Sequence, residues 1–261
     1  MELPMESEGA RMGVGSQQPG GEVPRLFVVE LGVMDYDLAW QAQQQALSGV
    51  IRGEIPGDVL LLVEHPPVVT LGRSSKPGHL LMSPAQLAAR GVQLREVERG
   101  GDVTIHEPGQ LVAYPVVDLK RHRKDLHWYL RQVEGGLIAA LAAVGVPAGR
   151  VAGLTGVWRE GRKLASIGVH ARDWVTWHGA ALNVTNDLAT FGYVVPCGID
   201  QVEMTSVARE CERLGAVAPE MAVMRAAVVA GLAKVFCWER DRTLACTSVA
   251  QLLRSASQET G

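Results

Sequence analysis

The chain has 261 residues, of which 47% are apolar, enough to bury one large core or two small ones. Its formal net charge is −3 and its isoelectric point is about 6.2, which argues against a nucleic-acid partner. Since no apolar run reaches the roughly 18 to 20 residues of a membrane span, we expect no membrane partner either.

The sequence pattern alternates strands with separate helices. Residues 1–24 are rich in Gly, Pro, Ser, Gln and Glu, which predicts a disordered tail. Strands are predicted at 25–32, at 58–72 with a break at Pro66-Pro67, at 92–97, at 155–169 as a pair around Glu160-Gly161, and at 170–185. Helices are predicted at 37–55, 83–91, 125–145, 205–214 and 219–236.

This pattern favours an α+β fold in which one large, mostly antiparallel sheet is flanked by helices. No internal repeat or linker divides the chain, so we expect a single domain over residues 25–237. Residues 238–261 are interpreted as a C-terminal extension of uncertain structure.

The four cysteines form no C-x-x-C pair, and the N-terminus lacks the order of a signal peptide, so we expect free thiols and a cytoplasmic protein. Cys197 stands apart because it lies between Pro196 and Gly198, at a bend that neither helix nor strand continues through. The other three, Cys211, Cys237 and Cys246, lie in or near helical patterns and are expected to pack as small apolar groups.

A nucleophilic role for Cys197 needs an activating partner, because an unperturbed thiol is mostly protonated at neutral pH. The sequence leaves His106, His178 and Lys163 open as that partner. A zinc site of His106, His178 and Cys197 is disfavoured, because their separations match no compact ligand spacing.

Four segments place polar residues among glycines within otherwise apolar strands: EHPPVVTLGR (64–73), RGGDVTIHEPGQ (99–110), RKLASIGVHARDWVTWHGAALN (162–183) and PCGID (196–200). Each glycine cluster by itself is typical of a turn or bulge. The chain has no G-x-x-x-x-G-K-[ST] loop and no G-x-G-x-x-G after a strand, so an NTP-dependent mechanism lacks its commonest motifs.

Together, EHPPVVTLG, RGGDVTIHEPGQLVAYPVVDL, KLASIGV, HGAALNV and PCGI resemble the octanoyltransferases of lipoate biosynthesis, also called lipoyl(octanoyl) transferases. The resemblance spans about residues 26–236. It implies the fold of biotin and lipoate protein ligases, with Cys197 as the nucleophile and Lys163 as the lysine that tunes it. It also implies that neither a cofactor nor a metal is used.

The family's substrate-contacting segments correspond to Arg99, Gly100, Gly101, Asp102, Val103, Thr104, Ile105 and His106, to Ser166, Ile167 and Gly168, and to Gly179, Ala180 and Ala181. Two positions depart from the family's pattern. Glu107 replaces the glycine of H-G-P-G-Q, which is expected to add charge near the acyl site, and Ile105 stands where an aromatic is common.

The implied reaction moves an octanoyl group from octanoyl-acyl carrier protein to a lysine of a lipoyl domain, through a thioester on Cys197. The implied acceptors are the lipoyl domains of 2-oxoacid dehydrogenases and the glycine cleavage H protein. The basic run KRHRK (120–124) is a candidate contact for such acidic partners. The alternatives are an ATP-dependent lipoate-protein ligase on the same fold and a non-catalytic lipoyl-binding module.

Overall fold

The computed structural model describes residues 25–199, 202–238 and 244–259, so the predicted tail 1–24 lies outside the described residues. The strands are β1 (Arg25–Val33), β2 (Gly57–Glu64), β3 (Val68–Leu71), β4 (Gln93–Glu96), β5 (Val103–His106), β6 (Gln110–Val116), β7 (Val157–Arg159), β8 (Arg162–Arg172), β9 (Val175–Asn183) and β10 (Leu244–Cys246). The α-helices are α1 (Tyr36–Ile51), α2 (Pro84–Ala88), α3 (Leu126–Ala143), α4 (Val207–Arg213), α5 (Met221–Phe236) and α6 (Val249–Glu259).

Seven strands form the main sheet in the order β10-β1-β2-β6-β9-β8-β7. The strand β1 pairs in parallel with β2 and β10, and the other pairings are antiparallel. The predicted α+β fold with a large, mostly antiparallel sheet is therefore confirmed.

The main sheet does not hold every strand, because β4, β3 and β5 form a second, three-stranded sheet. The chain passes from one sheet to the other at Pro66-Pro67, between β2 and β3. Proline has no N–H to donate and restricts the residue before it to extended conformations, so a proline pair ends the strand pairing of β2. The sequence predicted the break but not that the strand resumes in a different sheet.

Helices cover both faces of the main sheet. On one face, α3 and α5 pack against β6, β8 and β9 through a core that includes Leu137, Leu232 and Leu182. On the opposite face, α1 and α6 pack through a core that includes Leu47, Leu252 and Tyr114. A third, smaller core lies under the second sheet and includes Ile105 and Phe191.

Local chemistry explains most helix boundaries. Ser83 caps α2 through a capping box in which its side chain accepts from the Gln86 N–H, while the Gln86 side chain accepts from the Ser83 N–H. Asp125 caps α3 in a similar way through the Trp128 N–H. The prediction for α1 was four residues too long, because Gly53 adopts a left-handed conformation (φ +73°) that ends the helix.

The hairpin between β8 and β9 turns at Asp173-Trp174, both of which have positive φ. Residues 170–172 therefore belong to β8, whereas the sequence assigned them to the next strand. Neither turn residue is a glycine, so the usual composition signal for a two-residue hairpin turn is missing.

The predicted C-terminal extension contributes a strand to the main sheet, since residues 244–246 of β10 pair with β1 from Phe27 to Val29. The domain boundaries themselves remain predictions. Among the described helices, none has the length and apolar character to cross a membrane.

The packing of α3 against α5 depends on a glycine. A Cβ added to Gly231 of α5 would lie 2.2 Å from the backbone O of Gly136 in α3. Alanine gains about 1 kcal/mol over glycine in an open helix, but this clash forces two packed backbones apart. We therefore expect Gly231→Ala to lower the free energy of unfolding in urea by about 1–3 kcal/mol.

The matched control is Gly192→Ala, the same change at a position with no atom within 4 Å of the new Cβ. It should leave the free energy of unfolding nearly unchanged. A Gly231→Ala variant as stable as the unmodified chain would show that α3 and α5 are not held at this distance.

Candidate active site

A β-bulge aims Lys163 into the interior. Val157 pairs with Ala165 while the next residue, Trp158, pairs with Lys163, so Leu164 is an extra residue on β8. In a regular strand, residues three apart point to opposite faces, and Lys163 and Ser166 would be separated. The extra residue places both on one face, where they line the same cavity.

Cys197 lies on a single turn of 3-10 helix, Pro196–Gly198, and adopts a left-handed conformation (φ +57°). This conformation is uncommon for a residue other than glycine, asparagine or aspartate, and it persists only where the surroundings hold it. The Val195 N–H donates to the backbone O of His79 at 2.8 Å, and the Gly198 N–H donates to the backbone O of Val195 at 3.0 Å. The turn thus presents the thiol from a fixed backbone.

The structure brings Lys163 to Cys197, with Nζ 3.0 Å from Sγ. Ser166 Oγ lies 3.5 Å from the same sulfur. Lys163 is only 1% exposed and forms no salt bridge with a carboxylate in the described part of the chain. The amine and the thiol are therefore close enough to exchange a proton directly.

Lys163 is fixed from several sides. Its N–H donates to the Glu203 backbone O at 2.8 Å, and its own carbonyl accepts from the Thr205 N–H at 2.9 Å. Its ammonium also lies 5.0 Å from the centre of the Trp158 ring. The neighbouring Arg162 forms a salt bridge with buried Glu210 at 2.9 Å. These contacts hold the backbone at Lys163 in place and pack its side chain against the Trp158 ring, beside the thiol.

The pair opens into a cavity of about 250 Å³ between the two sheets. Asp102, Thr104 and His106 form one wall, and at about 3.3 Å per residue this wall extends roughly 13 Å from the thiol side. The opposite wall is built by β8, β9 and β6, and the rings of Tyr36 and His106, which stack on each other, line the cavity at the His106 end of the first wall.

Most of the sequence-predicted substrate residues meet at this cavity. Those that line it are Arg99, Gly101, Asp102, Thr104, His106, Ser166, Ile167, Gly168, Gly179, Ala180 and Ala181. Gly100, Val103 and Ile105 do not line it. The side chains of Val103 and Ile105 alternate away from it into the core of the small sheet, and the Gly100 N–H instead binds the backbone O of Val169.

Arg99 forms the hydrogen bonds of its guanidinium with the protein backbone and Thr70. Its guanidinium donates to the backbone O and hydroxyl of Thr70 and to the backbone O of Asp102, at 2.7–2.8 Å. Its aliphatic part lies against Gly168, where an added Cβ would lie 3.2 Å from Arg99 Cδ. Because its guanidinium is occupied by these bonds, Arg99 shapes the wall of the cavity mainly through the space that its side chain fills.

The imidazoles at the cavity are uncharged. Burial lowers the pKa of His178 to about 3, with the Arg99 charge as a second cause. Burial likewise lowers the pKa of His106 well below its usual value. His65 lies behind His106 at 5.5 Å between ring centres, and burial lowers its pKa to about 4. These rings therefore offer a neutral surface at physiological pH.

Glu107 does not bring charge into the cavity. Its buried carboxylate turns away and accepts from Asn186 at 2.8 Å and from Thr190 at 2.5 Å. The expectation that Glu107 adds charge near the acyl site is therefore wrong. The reason is that Asn186 and Thr190 supply hydrogen-bond donors that hold the Glu107 carboxylate outside the cavity.

The remaining cysteines differ in their burial. Cys211 is buried as expected, whereas Cys237 is exposed at the C-terminal end of α5, so its predicted packing is wrong. The side chain of Cys246 lies outside the described residues. In the described part of the chain, no group of three or more His, Cys, Asp and Glu side chains has the arrangement of a metal site.

The basic run 120–124 carries less free charge than its composition suggests. Lys120 and Arg121 each lie 3.6 Å from Asp118, and Arg123 lies 3.1 Å from Asp125. His122 lies 2.7 Å from Asp58. Most of the run is thus paired within the molecule.

Sequence reasoning missed several residues of the site. Tyr36, Val112, Tyr114, Leu154 and Ile199 also line the cavity. His79 contacts Asp102 at 2.6 Å beside the Cys197 turn. They come from five separate parts of the chain, and the sequence carries no local signal that joins them.

Comparison with known proteins gives a consistent result. The family described as "Lipoyl protein ligase A/B catalytic domain" matches residues 35–233. An octanoyltransferase of Chloroflexus aurantiacus is 48% identical over 217 residues, which cover 82% of this chain and 95% of the relative. An octanoyltransferase of Thermosynechococcus vestitus is 44% identical over 206 residues, which cover 79% of this chain and 88% of the relative.

Solved structures share the fold at low sequence identity. A lipoate protein ligase of Thermoplasma acidophilum with bound lipoic acid has a TM-score of 0.64 at 16% identity, covering 91% of this chain and 96% of that one. A lipoate-protein ligase A bound with ATP has a TM-score of 0.62 at 16% identity, covering 91% and 95%.

These matches confirm both the family resemblance of the sequence and the predicted kind of fold. The family match spans most of the chain, and the relatives are well above 30% identical over most of their own length. The chain belongs to the octanoyltransferases, acyltransferases of lipoate biosynthesis within the lipoyl protein ligase A/B catalytic domain family.

Proposed function

We propose that this protein transfers an octanoyl group from octanoyl-acyl carrier protein to a lysine of a lipoyl domain, through a thioester on Cys197. The observation that carries the proposal is the 3.0 Å contact between Lys163 Nζ and Cys197 Sγ, both of which line a cavity of about 250 Å³. A nucleophile, its proton partner and a place for an acyl chain thus occur together.

In the first half-reaction, the Cys197 thiolate attacks the carbonyl carbon of the donor thioester. The bond to the carrier sulfur breaks, and that sulfur takes a proton from the Lys163 ammonium. In the second, the acceptor amine attacks the carbonyl carbon of the new thioester, and the bond to the Cys197 sulfur breaks. Lys163 takes up a proton from the attacking nitrogen, and the octanoyl group leaves as an amide of the acceptor lysine. Thioester exchange is nearly balanced and amide formation is downhill, so the cycle needs no ATP.

The acyl chain would lie along the wall from Asp102 to His106. Burying six or seven methylenes at about 0.8 kcal/mol each contributes roughly 5 kcal/mol, enough to favour a medium-length chain over a short one. The uncharged rings of Tyr36 and His106 at the far end suit an apolar tail.

The donor is an acyl carrier protein and the acceptors are lipoyl domains, including those of 2-oxoacid dehydrogenases and the glycine cleavage H protein. A cytoplasmic location fits a nucleophilic cysteine that must remain reduced, since reducing compartments keep thiols free. The described cysteines, including Cys197, form no disulfide with one another.

An ATP-dependent lipoate-protein ligase remains the alternative, since such ligases share this fold. A ligase has no need of an acylated cysteine, so incubation with octanoyl carrier protein without ATP separates the two. Intact mass should then show one octanoyl adduct that is absent in Cys197→Ser. No adduct without ATP would favour the ligase, and no transfer under either condition would favour a binding module.

We expect Cys197→Ala to abolish transfer, because no other described cysteine lies beside Lys163. The matched control is Cys211→Ala, a buried cysteine outside the cavity. It should retain activity and lose at most about 1 kcal/mol of stability, as small core truncations do. Transfer from octanoyl carrier protein to a purified lipoyl domain measures both. Full activity in Cys197→Ala would end the proposed mechanism.

We expect Lys163→Arg to lower kcat by 10²–10⁴-fold, the usual contribution of general acid–base catalysis. Arginine keeps the positive charge, but it holds its proton too tightly to exchange it with the thiol or the leaving sulfur. Steady-state transfer kinetics, with circular dichroism to check folding, provide the measurement. An arginine variant with wild-type kcat would leave Lys163 a purely electrostatic role.

A further inference from the structure

A second pair of polar side chains lies beside the nucleophile and has no part in the mechanism so far. His79 Nδ1 lies 2.6 Å from Asp102 Oδ2. The other oxygen, Asp102 Oδ1, accepts from the Val103 N–H at 2.7 Å. Both carboxylate oxygens are therefore held, and the carboxylate cannot turn away from the cavity that it lines.

This pair is packed against the nucleophile turn. A Cβ added to Gly198 would lie 2.5 Å from Asp102 Oδ2 and 3.1 Å from His79 Cε1. The backbone O of His79 also accepts from the Val195 N–H at 2.8 Å. The pair thus contacts the residue that follows Cys197.

The charges at the cavity single out Asp102. Among the described residues that line the cavity, it supplies the one carboxylate, while Arg99 and Lys163 are the cations. His106 and His178 are neutral because burial lowers the pKa of each. Within the described part of this lining, Asp102 is therefore the group that can pair with a positively charged side chain.

The second half-reaction brings such a group. A free lysine side chain has a pKa of about 10.4 and arrives as an ammonium, which has no lone pair for attack. The balanced step is E–S–CO–R + R′–NH₃⁺ → E–SH + R–CO–NH–R′ + H⁺. The amine loses two protons: one returns to the leaving sulfur through Lys163, and the other has to leave the site.

We propose that Asp102 receives the ammonium of the acceptor lysine and that the Asp102–His79 pair takes up its first proton. The side chain of Asp102 is 7% exposed and that of His79 is 22% exposed, so the imidazole links the buried carboxylate to solvent. Asp102 touches the substrate, whereas His79 acts through Asp102. The inference rests on the proposed acyl-enzyme mechanism and assigns the deprotonation step within it.

The test separates the two half-reactions in single-turnover experiments followed by intact mass. In Asp102→Asn, consumption of the octanoyl-enzyme by a purified lipoyl domain should slow by 10²-fold or more, the range of a lost general base. Because Asp102 also lines the acyl cavity, formation of the octanoyl-enzyme can slow as well, but by a factor at least ten times smaller. His79→Gln, which keeps a donor for Asp102 but cannot carry a proton, should slow transfer to the lipoyl domain by a smaller factor than Asp102→Asn does.

Hydroxylamine serves as the control nucleophile, because it is uncharged at neutral pH and brings its own lone pair. In both variants, its release of the octanoyl group should be slowed far less than transfer to the lipoyl domain is. Asp118→Asn is the matched control variant, a buried aspartate that instead pairs with Lys120 and Arg121. It should behave like the wild type in every step.

Two outcomes would overturn the inference. Wild-type consumption of the Asp102→Asn acyl-enzyme by the lipoyl domain would show that Asp102 takes no part in deprotonation. Equal slowing of acylation, transfer to the lipoyl domain and release by hydroxylamine would show that the pair only supports the turn. Failure of the wild-type chain to form an acyl-enzyme would instead contradict the proposed function.

Discussion

A buried amine held against a thiol is the constraint on which this site depends. Lys163 is almost fully removed from water, and its amine donates a hydrogen bond to the Cys197 sulfur, 3.0 Å away. Each neighbouring feature keeps that distance: the bulge at Leu164 aims the lysine, and the left-handed turn presents the thiol. Even Gly156 contributes, since a Cβ there would lie 2.8 Å from Lys163 Cε.

The two sheets supply different parts of the chemistry. The main sheet carries Lys163 and Ser166 on β8, whereas Asp102 immediately precedes β5 of the small sheet. The small sheet exists as a separate layer because Pro66-Pro67 ends the pairing of β2. The cavity between the layers therefore has Lys163 on one side and the Asp102–His79 pair on the other, with Cys197 between them. This arrangement suits a reaction in which the same sulfur first accepts and then releases an acyl group.

The sequence by itself determined the kind of fold and singled out Cys197, which the structure places beside Lys163. The alternation of strands and helices, the capping box at Ser83 and the proline pair are local signals, so their consequences could be predicted from neighbouring residues. Cys197 stood out because a thiol between proline and glycine has no packing role in a regular element. The residues alone left His106, His178 and Lys163 open as the partner of Cys197, and only the family resemblance favoured Lys163.

The tertiary structure decided what depends on distant parts of the chain. The bulge that turns Lys163 to the cavity is visible only in its pairing with β7. The direction of Glu107 is set by donors 79 and 83 residues away, which no local pattern reveals. His79 and Asp102 are 23 residues apart and meet only because the small sheet folds over the nucleophile turn. Side-chain direction and long-range contact follow from packing, and packing is a property of the whole fold.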